Sequence, residues 1–147
     1  MLKILLAVDG SEHANRAIEA VGKLARSNTD LEAILFCVRS GALLEPLFAN
    51  EYYTAATIQQ LDADQEKEQA AILNKAMQNA KTQEIMISDS LRGYGAVASE
   101  IMRIAKEQQV DMIAMGTRGM GAIGSMLLGS VAQKVIHQSD VPVLLIK

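Results

Sequence analysis

A single cysteine, Cys37, leaves this chain without the means to build an intrachain disulfide framework or a multi-cysteine metal site. A lone free cysteine inside an apolar run reads as a small buried strand residue. Nowhere does Gly-Lys precede Ser or Thr, which excludes a Walker phosphate loop. No Ser-His-Asp set and no His-x-x-x-His pair is evident. The two histidines, His13 and His137, fall in separate helical patterns and read as surface or capping residues rather than general bases. No apolar run approaches the roughly 20 residues needed to cross a bilayer, and the start Met1-Leu2-Lys3-Ile4 has no signal-peptide layout, so a cytoplasmic location is expected. Charge of one sign is also scarce. Against 17 acidic residues stand 14 basic ones, scattered along the chain, which provides no electrostatic stripe for a nucleic-acid backbone. No internal repeat or low-complexity tract is present, and 147 residues suit one domain spanning 1–147.

What is there is an alternation of strand and helix patterns. Residues 2–8 form an almost continuous apolar run, as expected of a strand covered on both faces. A helical pattern follows from Ser11, with Ala14, Ala17, Ile18, Val21, Leu24 and Ala25 at helical spacing. Strands are expected at 31–38, 84–88, 111–115 and 141–146, and helices at 55–80, 96–108 and from Ser130 onward. Residues 40–54, with Gly41, Pro46 and two tyrosines, have no clean period and read as a mobile loop. The charged run between Asp62 and Glu68 reads as a solvated outer helix face. Such alternation argues for an α/β fold around a parallel sheet.

The chemistry concentrates near the C-terminus. Gly116-Thr117-Arg118-Gly119 ends the apolar run Met112 to Met115, and after nine residues Gly129-Ser130-Val131 opens a helical pattern. Glycines let backbone N–H groups approach an anion, and a helix start adds unpaired donors and the positive end of its dipole. The pair therefore reads as a phosphate cradle. This G-x2-G-x9-G-[ST] spacing, the opening Leu5-Leu6-Ala7-Val8-Asp9-Gly10-Ser11 and the ending Val141-Pro142-Val143-Leu144-Leu145-Ile146 resemble the universal stress protein family from Lys3 to Ile146.

The resemblance implies a Rossmann-like, adenine nucleotide α-hydrolase-like sheet of five strands in order 3-2-1-4-5 with helices on both faces. It also implies the ATP-binding branch of the family. In that order the chain reverses direction between strands one and four, and ligands of open α/β sheets bind at such a switch point. The resemblance then places the nucleotide against Ala7, Val8, Asp9, Val38, Met115, Gly116, Thr117, Arg118, Gly119, Gly129, Ser130 and Val131. Val38 would line the adenine pocket, Met115 would lie beside the ribose, and Arg118 would face a phosphate. Asp9 would coordinate Mg²⁺ or accept a hydrogen bond from the nucleotide; as an alternative, it or Ser11 would cap the first helix. The family often has proline where Ala7 stands.

Gly119-Met120-Gly121-Ala122-Ile123-Gly124 also spells the dinucleotide fingerprint G-x-G-x-x-G. That fingerprint belongs at the first strand-to-helix turn, with an acidic residue about 20 positions on at a strand end. Here it follows the fourth strand, so NAD is not the expected ligand. No residue offers itself to orient an attacking water, so the chain reads as an ATP-binding stress regulator with at most slow hydrolysis and no assigned catalytic residue. An adenylating or ATP-hydrolysing enzyme of the same fold and a nucleotide-independent adaptor are the alternatives. The apolar ending Val141–Ile146 reads as an edge strand, which the resemblance pairs across a two-fold axis in a homodimer.

Overall fold

Covering a strand on both faces demands apolar residues at consecutive positions, and the first strand meets that demand: Ile4, Leu5 and Leu6 are all fully buried. The structure is a computed structural model that describes residues 1–119 and 128–147. Its elements run β1 (Leu2–Ala7), α1 (Glu12–Ser27), β2 (Leu31–Ser40), α2 (Glu45–Phe48), α3 (Ala55–Thr82), β3 (Met86–Gly95), α4 (Val97–Glu107), β4 (Met112–Gly116), α5 (Ser130–Gln138) and β5 (Val143–Ile146). The five strands form one sheet in the order β3-β2-β1-β4-β5, with every neighbouring pair parallel.

Side chains alternate across this sheet, so each strand feeds two cores. Ile4, Leu6, Leu35 and Cys37 meet α1 and α3 on one face, and Leu5, Ile34, Phe36 and Ile113 meet α4 and α5 on the other. Ser11 caps α1 by accepting the Ala14 N–H at 3.2 Å. The helix then buries Ala14, Ala17, Ile18, Val21 and Gly22 on one stripe. Gly22 is glycine for a packing reason: a Cβ there would lie 2.7 Å from Gln83 Cβ, so α1 and the end of α3 approach closer than any side chain allows.

Several expectations need correction. β3 runs from Met86 to Gly95 rather than over 84–88. Its outer positions Ser88, Asp89 and Ser90 are exposed, and polar residues at a sheet edge imitate a loop when read alone. Pairing with β2 from Glu32↔Met86 to Ser40↔Gly95, interrupted by one bulge at Ala33/Ile34, makes them a strand. The same pairing carries β2 past Val38 to Ser40. At the other edge β5 is shorter than expected, because Val141 and Pro142 precede it and only Val143–Ile146 pair with β4. Within the unpatterned stretch 40–54 the chain forms α2, with Leu44 buried beside it. The acidic run on α3 is not wholly solvated: Asp62 pairs with Arg39 at 2.6 Å, Glu66 stands 3.9 Å from the same guanidinium, and Tyr94 stacks over it. No helix among the described residues is long and apolar enough to cross a membrane.

Cys37 is 3 % exposed on β2. Burial, and then the nearby carboxylates of Asp9 and Glu68, push its thiol up to about 11. The folded state therefore keeps a proton that an unfolded chain loses from about pH 9, and stability should fall as pH rises from about 9 to about 11. We predict that iodoacetamide at pH 8 leaves the native protein unmodified and alkylates it only after urea unfolding. Equal rates in the two states would contradict the burial of this thiol.

Candidate functional site

The chain leaves the sheet in opposite directions after β1 and β4, and the two strand ends separate to open a cleft of about 410 Å³. Every residue that the sequence analysis assigned to the nucleotide borders this cleft. Ala7, Val8 and Asp9 come from the end of β1, and Val38 from β2. Met115 to Gly119 close β4 and the loop that follows, and Gly129, Ser130 and Val131 start α5. Of the dinucleotide-like motif, only Gly119 falls within the described residues.

Polar groups gather on the β1 and β4 side. Asp9 Oδ1 accepts the Ser11 N–H at 2.9 Å, while Ser11 Oγ caps α1, so capping falls to Ser11 and Asp9 holds the turn that presents it. Gly10 sits in that turn with φ of 82°, a conformation glycine adopts without strain. Facing it, α5 begins with Gly129 in the N-cap position and, among the described residues, no side-chain cap, and its first-turn residues Ser130, Val131 and Ala132 border the cleft. Ser130 is the first helical residue, not the cap. Arg118 Nη2 lies 3.4 Å from His13 Nε2, which places His13 at the rim.

The three glycines differ in what they accommodate. A Cβ on Gly116 would lie 2.6 Å from His13 Cβ and 2.8 Å from the His13 carbonyl carbon, so this glycine lets the end of β4 pack against the start of α1. A Cβ on Gly119 would collide with Asp9 Oδ2. Only Gly129 faces open cleft, where a Cβ would find ordinary contacts at 3.5 Å and beyond. Two of the three thus serve the walls of the cradle rather than close approach by a ligand, a distinction that spacing alone does not carry.

Toward β2 the cleft is apolar. Phe36 and Val38 alternate onto its wall, Val97 and Ile101 reach it from the first turns of α4, and Met115 lies at its floor. Sequence analysis passed over Phe36, Val97, Ile101 and Ala132, because buried apolar residues at strand and helix spacing read as core. The signal was the period itself: Phe36 is two residues before Val38 on the same strand face. Gly93 packs against Phe36 from β3, since a Cβ there would come within 2.7 Å of the Phe36 ring. An apolar slot thus adjoins an anion-favouring helix start across the Asp9 carboxylate. Among the described residues no group of three or more His, Cys, Asp or Glu side chains could hold a metal alone, so a cation at Asp9 would need further oxygen ligands from water, backbone or a bound anion.

These contacts separate the glycines experimentally. Gly116→Ala should destabilise the fold by about 1–3 kcal/mol through overpacking against rigid backbone, whereas Gly129→Ala should cost about 1 kcal/mol or less through a poorer N-cap. Urea unfolding monitored by circular dichroism measures both. Equal losses would contradict the assigned contacts.

The universal stress protein family model matches residues 1–147. The universal stress protein YxiE of Bacillus subtilis is 31% identical over 146 residues, covering 99% of this chain and 98% of the relative. Among solved structures, protein MJ0577 of Methanocaldococcus jannaschii superposes with a TM-score of 0.84 at 27% identity, covering 99% of this chain and 94% of that one. A universal stress protein family protein from Arabidopsis thaliana with AMP bound shares the fold with a TM-score of 0.70 at 19% identity, covering 100% and 92%. With its sheet order, its glycine loop and a match along its whole length, this chain belongs to the universal stress protein family.

Proposed function

We propose that the protein binds ATP in the β1/β4 cleft and acts as a nucleotide-dependent regulator whose output is the occupancy of that site. The observation that carries this reading is the start of α5, which has no side-chain cap among the described residues and borders a cleft whose other half is apolar. Base and ribose would occupy the slot between Val38, Val97 and Met115. The phosphates would lie against the N–H groups of Ser130 and Val131, where the helix dipole favours negative charge. The AMP held by the Arabidopsis relative supports an adenine nucleotide as the ligand class.

Residues of this chain would divide the work. The Ser130 hydroxyl donates to a phosphate oxygen, and Arg118 neutralises phosphate charge from the loop. Asp9 would be the carboxylate available to hold Mg²⁺, and the ion would supply neutralisation of phosphate charge. Asp9, the carboxylate in the cleft, is already engaged by the turn and the proposed cation, and no histidine or lysine is among the described lining residues, so no general base is assigned and slow hydrolysis is expected.

Asp9→Asn keeps an oxygen for the Ser11 N–H and removes the charge. Calorimetric titration should therefore find the variant folded, with an ATP affinity that Mg²⁺ no longer enhances. In the same assay Ser130→Ala should lose about 1.5–3 kcal/mol, the worth of a charge-assisted hydrogen bond. Retention of the parental Mg²⁺ dependence in Asp9→Asn would confine Asp9 to the turn.

We further propose that β5 mediates a homodimer. The Ile113 N–H donates to Pro142 and the Thr117 N–H to Ile146, so Pro142, Leu144 and Ile146 face β4 while Val143 and Leu145 turn their N–H and C=O groups outward. An outward row of this kind invites a second strand. Val143→Pro deletes one outward donor and no ladder donor. It should lower the dimer fraction in sedimentation velocity and leave ATP binding in place; a parent that is monomeric at tens of micromolar would refute the dimer.

A further inference from the structure

We propose that Gln69 is a positioning residue for base recognition: from α3 it fixes the peptide whose N–H, that of Val38, faces the cleft, and it thereby sets a preference for a 6-aminopurine. This rests on the nucleotide reading above. Gln69 is only 4 % exposed, and a buried carboxamide is costly unless its hydrogen bonds are made. Its Nε2 donates to the Cys37 carbonyl at 2.7 Å and to the Gly93 carbonyl at 2.9 Å, joining the ends of β2 and β3.

Strand alternation gives the direction. The Phe36 carbonyl accepts the Val8 N–H at 2.9 Å, so the polar groups of Phe36 face β1, those of Cys37 face β3, and those of Val38 face the β1 side again. The β1 register ends at Ala7↔Phe36, and Val38 borders the cleft. Val38 therefore presents a donor and an acceptor side by side where the pairing strand has ended. That pair complements the ring-nitrogen acceptor and 6-amino donor of adenine. A 6-oxopurine, with its oxygen acceptor and N–H donor, offers the opposite order. The Cys37 carbonyl and the Val38 N–H belong to one planar peptide. A hydrogen bond at the carbonyl fixes the orientation of that N–H and polarises it as a donor.

A clamp between β2 and β3 with no part in recognition would affect all nucleotides alike, and this separates the two roles. Gln69→Met keeps the length and apolar volume of the side chain and removes both donors. Competition binding with ATP and inosine triphosphate should show ATP affinity falling about tenfold, the scale of one hydrogen bond, with inosine triphosphate changed far less. In Gln69→Glu the preference for ATP should return as pH is lowered, because a protonated carboxyl donates again; in Gln69→Met it should not. If Gln69→Met does not fold, Gln69→Glu carries the test alone: an ATP-to-inosine triphosphate ratio that rises as pH is lowered upholds the proposal, and a ratio independent of pH overturns it. A parent that binds neither nucleotide overturns the nucleotide reading and this proposal with it. Parental ATP binding with an unchanged ATP-to-inosine ratio in Gln69→Met overturns only the role of Gln69.

Discussion

The carboxylate of Asp9 ties the end of β1 to the start of α1 through the Ser11 N–H, and its other oxygen lies against the space that a Gly119 side chain would fill. One side chain thus joins the β1–α1 turn to the loop after β4, which is distant in sequence. The turn it shapes, with Gly10 at positive φ, sends α1 to one face of the sheet, while the chain after β4 departs toward the other. The cleft is the space this divergence leaves. The same carboxylate that closes the turn is the one acidic side chain among the described residues lining the cleft, between its apolar slot and the start of α5.

Packing keeps the divergent ends near enough to form one site. Gly116 brings β4 into contact with the backbone of His13 and Ala14, and Gly93 admits the Phe36 ring that walls the apolar half. Gln69 joins the ends of β2 and β3 behind that wall. Beyond them, Arg39 gathers Asp62, Glu66 and Tyr94 and secures the long helix α3 over the end of β2. With carboxylates as exposed as those of Asp62 and Glu66, such ion pairs contribute little individually, on the order of 1 kcal/mol or less, so their role here is to set orientation rather than to supply stability.

Much of this was legible in the sequence because the informative elements are buried on two faces or rich in glycine. Continuous apolar runs announced β1, β2 and β4, and the alternation with helices announced a parallel sheet. β3 escaped because Ser88-Asp89-Ser90 at a sheet edge acquires strand geometry from its partner rather than from its own residues. The segments of the site could be named from glycine spacing and resemblance, yet the reasons for individual glycines could not: which atom a Cβ would meet is a tertiary fact. Phe36, Val97 and Ile101 were hidden for a related cause, since a residue that borders a cleft and one that only fills a core have the same composition and spacing, and tertiary structure alone tells them apart. Gln69 carried no sequence signal beyond a polar residue on a helix stripe.

The central claim is that the ends of β1 and β2, the loop after β4 and the start of α5 act as one nucleotide site. Titration of uniformly ¹⁵N-labelled protein with ATP and Mg²⁺, followed by amide chemical shifts, tests it most directly. The account predicts that the amides of residues 7–9, 38, 116–119 and 129–131 shift along a single saturating curve with one midpoint. Shifts confined to the opposite end of the sheet, around Val110 and Val141, or segments that respond with different midpoints, would contradict it.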